Sequence, residues 1–148
     1  MRVQDIIRIK GDAVITVIET IRIKEAARVM HERGVGALVV ITAAGHLRGV
    51  LSEREIVVTL ADHGREALDI SVAELTLANR PTLSPETSVR DAMTIMTERR
   101  VRHLPVLDDG RVVGLISLGD TVKARLSEKI AENEVLQDVA RWPAPSVA

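Results

Sequence analysis

The sequence predicts an α+β fold in which two βαββα units pack as a pseudo-twofold pair. An internal repeat is the first observation behind this. "ITVIETIRIKEAARVMHERGVGALVV", from Ile15, aligns with "PTLSPETSVRDAMTIMTERRVRHLPV", from Pro81. Thr16 meets Thr82, Ala26 meets Ala92, Met30 meets Met96, Val35 meets Val101, and Leu38 and Val40 meet Leu104 and Val106. After a turn that is one residue shorter in the second copy, Gly45 meets Gly110, Gly49 meets Gly114 and Ser52 meets Ser117. Helical spacing of apolar residues is the second observation, and short apolar runs bounded by turn residues are the third.

The elements follow in order. "MRVQDIIRI" reads as a short lead-in helix. "AVITV" is a β-branched strand, matched more weakly by "PTLS". "IKEAARVMHERG" and "VRDAMTIMTERR" are helices, the second with Val89, Ala92, Met93 and Met96 on one face. Gly34 stops the first of them. "GALVVI" and "RHLPVL" are buried-type strands, "AAGH" and "DDG" are hairpin turns, and "LRGVLS" and "RVVGLIS" are the returning strands, each followed by a helix. "HGREALDISVAELTLAN" bridges the copies. "LGDTVKARLSEKIAENEVLQDVARW" is one long helical pattern, and "PAPSVA" is a disordered tail. The expected domains are residues 1–66, the first unit with its lead-in helix; 67–130, the second unit; and 131–148, a helix extension and tail. A unit of about 60 residues is marginal alone, so two units facing each other are expected to share a core.

Composition narrows the function. Of 148 residues, 46% are apolar and 28% charged, a soluble globular balance. Twenty Lys and Arg oppose 21 acids, a net charge of −1, so no global basic field exists for DNA or a lipid surface. Trp142 is the only residue among Phe, Trp and Tyr, so the core is aliphatic and no stacking platform for single strands exists. Without cysteine there is no disulfide, thiolate metal site or cysteine nucleophile. No apolar run approaches the ~20 residues of a membrane span, and the start lacks the apolar core of a secretion signal. The expected location is the cytoplasm. His31, His46, His63 and His103 are scattered, with no nucleophile–base pair or metal-ligand spacing, so no enzyme and no metal site are expected. "HERGVGALVV" lacks the Lys-Ser/Thr of a phosphate loop and follows a helix.

The doubled motif carries the functional reading. "GVLSEREI" and "GLISLGDT" each place a serine at a helix N-cap with a carboxylate three residues on: Ser52 with Glu55, and Ser117 with Asp120. As a capping box, each serine is worth about 1 kcal/mol. The same geometry presents free amides and a positive dipole end, which suits a phosphate.

A tandem βαββα unit with Gly-x-x-Ser-x-x-Asp/Glu closing each copy, and "VRHLPV" in the second, resembles a pair of cystathionine-β-synthase (CBS) domains. The resemblance covers about residues 3 to 127. It implies a cleft between sheets and helices that takes an adenosyl ligand: AMP, ADP, ATP or NAD, with S-adenosylmethionine ranked behind them. It also implies a homodimer and a regulated partner protein, with no resident cofactor required. Asp120 would hold the ribose 2′,3′-diol by charge-assisted hydrogen bonds, with Ser117 toward the phosphate. Glu55 departs from the usual aspartate and is equally well read as a cap; with Ser52 it marks the first site, and Arg54 beside it is either a phosphate partner or a solvated arginine. Arg102 offers bidentate phosphate recognition and His103 a donor with charge variable near neutral pH; the alternatives are a surface ion pair and a half-buried histidine. Pro105 is expected where a strand lacks a neighbour, and by resemblance shapes the cleft wall. The first copy has Gly36, Ala37 and Val39 at these places, so its site is expected to bind phosphate more weakly. Backbone around Thr16 and Thr82 would read the adenine edge. Two functions stand from these residues: an adenosyl-nucleotide sensor, and a structural dimerisation scaffold with degenerate sites.

Overall fold

The computed structural model describes residues 1–11, 14–75, 77 and 79–142. The tail "PAPSVA" and the first residue of "AVITV" lie outside the described residues. Helix α1 (Val3–Lys10) precedes the first unit, which runs β1 (Thr16–Ile18), α2 (Ile23–Arg33), β2 (Ala37–Ile41), β3 (Leu47–Ser52) and α3 (Glu53–His63). Two 3-10 turns, Gly64–Asp69 and Val72–Glu74, lead to the second unit: α4 (Val89–Arg99), β4 (His103–Asp108), β5 (Arg111–Ser117) and α5 (Leu118–Arg141).

In the first sheet β1 runs parallel to β2, with Thr16 opposite Val39, and β2 runs antiparallel to β3. In the second, β4 and β5 are antiparallel, and the strand expected at "PTLS" is reduced to a single parallel bridge, Leu83 to Val106. Proline explains the difference. Val39 N–H donates to Ile15 O at 3.1 Å, extending the β1 ladder. Its counterpart is Pro105, which has no N–H to give to Pro81, so pairing stops after Leu83 N–H to Pro105 O and Leu107 N–H to Leu83 O, both 2.9 Å. Pro105 therefore has a chain beside it, but on that side its missing donor ends the ladder.

The repeated apolar residues build two hydrophobic clusters, where the sequence suggested a shared one. Ile23, Ala26, Met30, Leu38, Val40 and Leu51 form one; their counterparts Val89, Ala92, Met96, Leu104, Val106 and Ile116 form the other. Side chains alternate across a strand, so Val39, Val50 and Pro105 leave the opposite sheet faces, and they are buried too. There β3 meets β4, and the units pack sheet to sheet.

Helix α1 joins the second unit despite preceding the first in sequence. Val3 and Ile6 are buried in the second cluster, and Val3 N–H and Gln4 N–H donate to Thr87 O and Pro85 O. Helix α5 runs through residue 130 without a break. Thr121 and Ala124 are buried, whereas residues 131–142 are all exposed, including Val135, Leu136, Val139 and Trp142.

The first helix of each unit ends on a left-handed residue: Gly34 at φ 63° and, at the equivalent place, Arg100 at φ 54°. Glycine, which has no Cβ, adopts this conformation without the steric crowding that other residues meet. Arg100→Gly is expected to raise the unfolding free energy by about 0.5–1 kcal/mol, and Gly34→Ala to lower it by a similar amount, in urea denaturation.

Candidate functional site

The strand-to-helix junctions behave as the sequence indicates. Ser52 N–H and the Ser52 hydroxyl both donate to Glu55 Oε2, the amide at 2.8 Å. Ser117 N–H donates to Asp120 Oδ2 at 2.8 Å, and Asp120 N–H donates back to Ser117 Oγ at 3.0 Å. Both capping boxes are closed. The first amide of each helix is also engaged: Glu53 N–H to Gly36 O at 3.1 Å and Leu118 N–H to Arg102 O at 2.8 Å. At α5 the Leu118 and Asp120 amides are thus bonded within the protein. A helix start so occupied is a poorer phosphate cradle than the bare motif suggests.

Two cavities lie where the units meet. The first, about 250 Å³, is walled by Ile7 and Lys10 of α1 and Gly11 that follows it, by Val14, Ile15 and Val35–Ala37 of the first unit, and by His103, Gly114, Leu115 and Ser117 of the second. The second, about 770 Å³, is walled by the α3 start, Ser52–Glu55, and by Arg80 and Arg99–His103. Gly36 and His103 border both. Each cavity therefore combines the helix start of one unit with the residues leading into the hairpin of the other.

This crossing redistributes the expected residues. Arg102 faces Ser52, Arg54 and Glu55, not Ser117 and Asp120, and the site expected to be poor in charge has the more cationic wall. Ala37 faces Ser117, and His103 touches both sites. Asp120 adjoins the first cavity through its bonds to Ser117 and Lys10. Thr16 and Thr82 are exposed and border neither cavity, although Ile15, beside Thr16, borders the first. Pro105 is buried behind the walls.

Two cations that the motifs did not indicate hold the two carboxylates. Lys10 Nζ sits 2.8 Å from Asp120 Oδ2 and donates to Leu115 O at 3.0 Å. Arg80 donates through one terminal nitrogen to Glu55 Oε1 at 3.0 Å and through the other to His103 O at 3.1 Å. Its side chain is only 8% exposed, and its Nε is buried without a hydrogen-bond partner among the described residues. Arg99 and Arg100 complete a wall of five arginines, with Arg54, Arg80 and Arg102, against Glu53 and Glu55. The run "ERRVRH" held a visible signal for part of this wall; Arg80 and Lys10 stood alone in their segments.

The titratable groups respond accordingly. Burial, then the positive charges of Arg80 and Lys10, hold the His103 imidazole below its ordinary value, so it is neutral at pH 7. Burial pushes the Asp120 carboxyl up, but the hydrogen bonds from Lys10 and Ser117 outweigh it and leave the group below the ordinary aspartate value. Among the described residues no three His, Asp or Glu side chains form a metal-binding group, and no helix is long and apolar enough to cross a membrane.

Residues 3–62 and 72–127 match the family model of the CBS domain. The chain belongs to the CBS-domain family. This CBS pair is 34% identical over 108 residues to CBS domain-containing protein CBSX3, mitochondrial, of Arabidopsis thaliana; the match covers 70% of the chain and 52% of the relative, so the chain spans about half of that protein. A crystal structure of a CBS-domain containing protein from Agrobacterium tumefaciens is 38% identical, with a TM-score of 0.80 over 84% of this chain and 99% of that one. The CBS domain pair of protein MJ0100, crystallised in complex with 5′-methylthioadenosine and S-adenosyl-L-methionine, is 25% identical, with a TM-score of 0.74 over 84% and 98%.

The Asp120 contacts predict an acid limit. Because its pKa is lowered on folding, this carboxylate contributes stability above the unfolded aspartate pKa and loses that contribution as pH falls through the folded value. Carboxyl NMR is expected to find Asp120 titrating below an ordinary aspartate, and Lys10→Met to move the midpoint upward.

Proposed function

We propose that this CBS pair is a regulatory module that binds adenosyl nucleotides in the cleft between its units and acts through a homodimer. The observation that carries the reading is the crossed construction of the two cavities. Each needs both units, so a ligand in either one bears on how the units sit against each other. The MJ0100 pair, bound to two adenosyl compounds, supports the ligand class.

In this reading the ribose diol meets Asp120. Its Oδ2 serves Ser117 and Lys10, whereas Oδ1 has no hydrogen-bond partner among the described residues and is left for a ligand hydroxyl. Phosphates fall to side-chain cations more than to helix amides. Arg54, Arg80, Arg99, Arg100 and Arg102 give the second cavity the stronger pull on a di- or triphosphate, because guanidinium matches phosphate oxygens in pairs. Glu55, already tied to Ser52 and Arg80, acts there as cap and arginine holder. The serine hydroxyls are engaged in caps, and the module is read as a binder of its ligand. The dimer contact is assigned to α5, whose exposed end carries Val135, Leu136, Val139 and Trp142. That same surface is the feature that favours the alternative, a scaffold with unused sites.

Thermal shift with AMP, ADP, ATP, NAD, 5′-methylthioadenosine and S-adenosylmethionine separates the two. A compound at 100 times its Kd is expected to add about 2.7 kcal/mol of stability. Asp120→Ala is expected to lose the shift in the first cavity, and Arg102→Gln to weaken phosphorylated compounds more than methylthioadenosine. A flat response to the whole panel at millimolar concentration leaves the scaffold. Histidine NMR is a second measure: a phosphate bound beside His103 is expected to raise its pKa, since a nearby anion favours imidazolium.

A further inference from the structure

We propose that Lys10 sets the charge class of the ligand in the first cavity, favouring anionic adenosyl compounds and disfavouring cationic ones. This deepens, and rests on, the reading that an adenosyl compound enters that cavity.

The inference comes from how α1 is seated. Val3 and Ile6 are buried in the core of the second unit, and Ile7 lies against Gly114. A Cβ at position 114 would come within 2.9 Å of Ile7 Cδ1, so the absence of a side chain there lets the helix approach the strand closely. Lys10 follows three residues after Ile7 on the same helix face. The close approach brings its ammonium to Leu115 O at 3.0 Å and Asp120 Oδ2 at 2.8 Å. A lysine ammonium has three donors. Two are engaged, and Lys10 borders the cavity, so the third is available to a ligand.

The consequence is electrostatic. A bare Asp120 carboxylate would attract a sulfonium or ammonium and repel a phosphate. With Lys10 bound to one of its oxygens, the pair is close to neutral as seen from the cavity. The free Oδ1 still accepts a sugar hydroxyl, and the ammonium receives an anion. His103, on the same wall, is a neutral donor or acceptor and does not alter the balance. Lys10 thus reverses the preference that the carboxylate alone would impose.

Isothermal titration of the full chain with AMP, neutral 5′-methylthioadenosine and cationic S-adenosylmethionine tests this. The binding step scored is the one that Asp120→Asn also weakens, which assigns it to this cavity. Lys10→Met is expected to weaken AMP by about tenfold to hundredfold, the value of a charge-assisted hydrogen bond, to leave methylthioadenosine unchanged or tighter, and to strengthen S-adenosylmethionine. Lys10→Gln keeps a donor without the charge and is expected to reverse the preference in the same way; Lys10→Arg is expected to keep the wild-type order. An unchanged ratio of AMP to S-adenosylmethionine affinity in folded Lys10→Met and Lys10→Gln overturns the proposal while leaving the nucleotide reading in place. If no compound binds wild type or either variant, the nucleotide reading fails and this proposal fails with it.

Discussion

The first amide of each returning helix donates to the carbonyl just ahead of its unit's hairpin: Glu53 N–H to Gly36 O, and Leu118 N–H to Arg102 O. The rest of the site depends on this bond. A backbone hydrogen bond of this kind contributes about 0.5–1.5 kcal/mol net. It fastens the serine–carboxylate box to the residues that lead into the hairpin. Packing the sheets against each other then sets each piece opposite its counterpart. The cavities are the space left between the two pieces.

One backbone plan thus serves two different walls. Around the first cavity the facing residues are Gly36 and Ala37, small and uncharged, with Lys10 as the added cation. Around the second they are Arg102 and His103, flanked by Arg99 and Arg100. Arg100 holds a left-handed backbone that its counterpart Gly34 adopts freely, so the arginine wall is maintained at some cost to the helix end. Arg80 occupies the middle of this wall with its side chain nearly buried. Its bonds to Glu55 and to the His103 carbonyl join the start of α3 to the start of β4, so it links the two units as well as charging the cavity.

The fold was largely legible because its signals are short-range. Val89, Ala92 and Met96 mark a helix face by spacing alone, and Leu38, Val40, Leu104 and Val106 mark buried strand positions. Both capping boxes could be read from four residues each. "PTLS" was less legible. Its strand needs a neighbour able to donate, and Pro105, which withholds the donor, is more than twenty residues away. The site was legible in its residue types but not in its grouping. Arg102 belongs to the same unit as Asp120, yet borders the cavity of Glu55. Lys10 and Arg80 gave no pattern at all, because their carboxylates lie 110 and 25 positions away.

By itself the sequence determined the doubled unit, its helices, its hairpins and the two serine–carboxylate boxes, since each follows from spacing, turn chemistry or capping within a few residues. The tertiary structure alone decided which box faces which strand, where α1 docks and which cation holds which carboxylate. Those outcomes turn on the sheets packing face to face and on Gly114 admitting Ile7. Contacts of that kind are set by shape and charge between segments far apart in the chain, where local spacing carries no information.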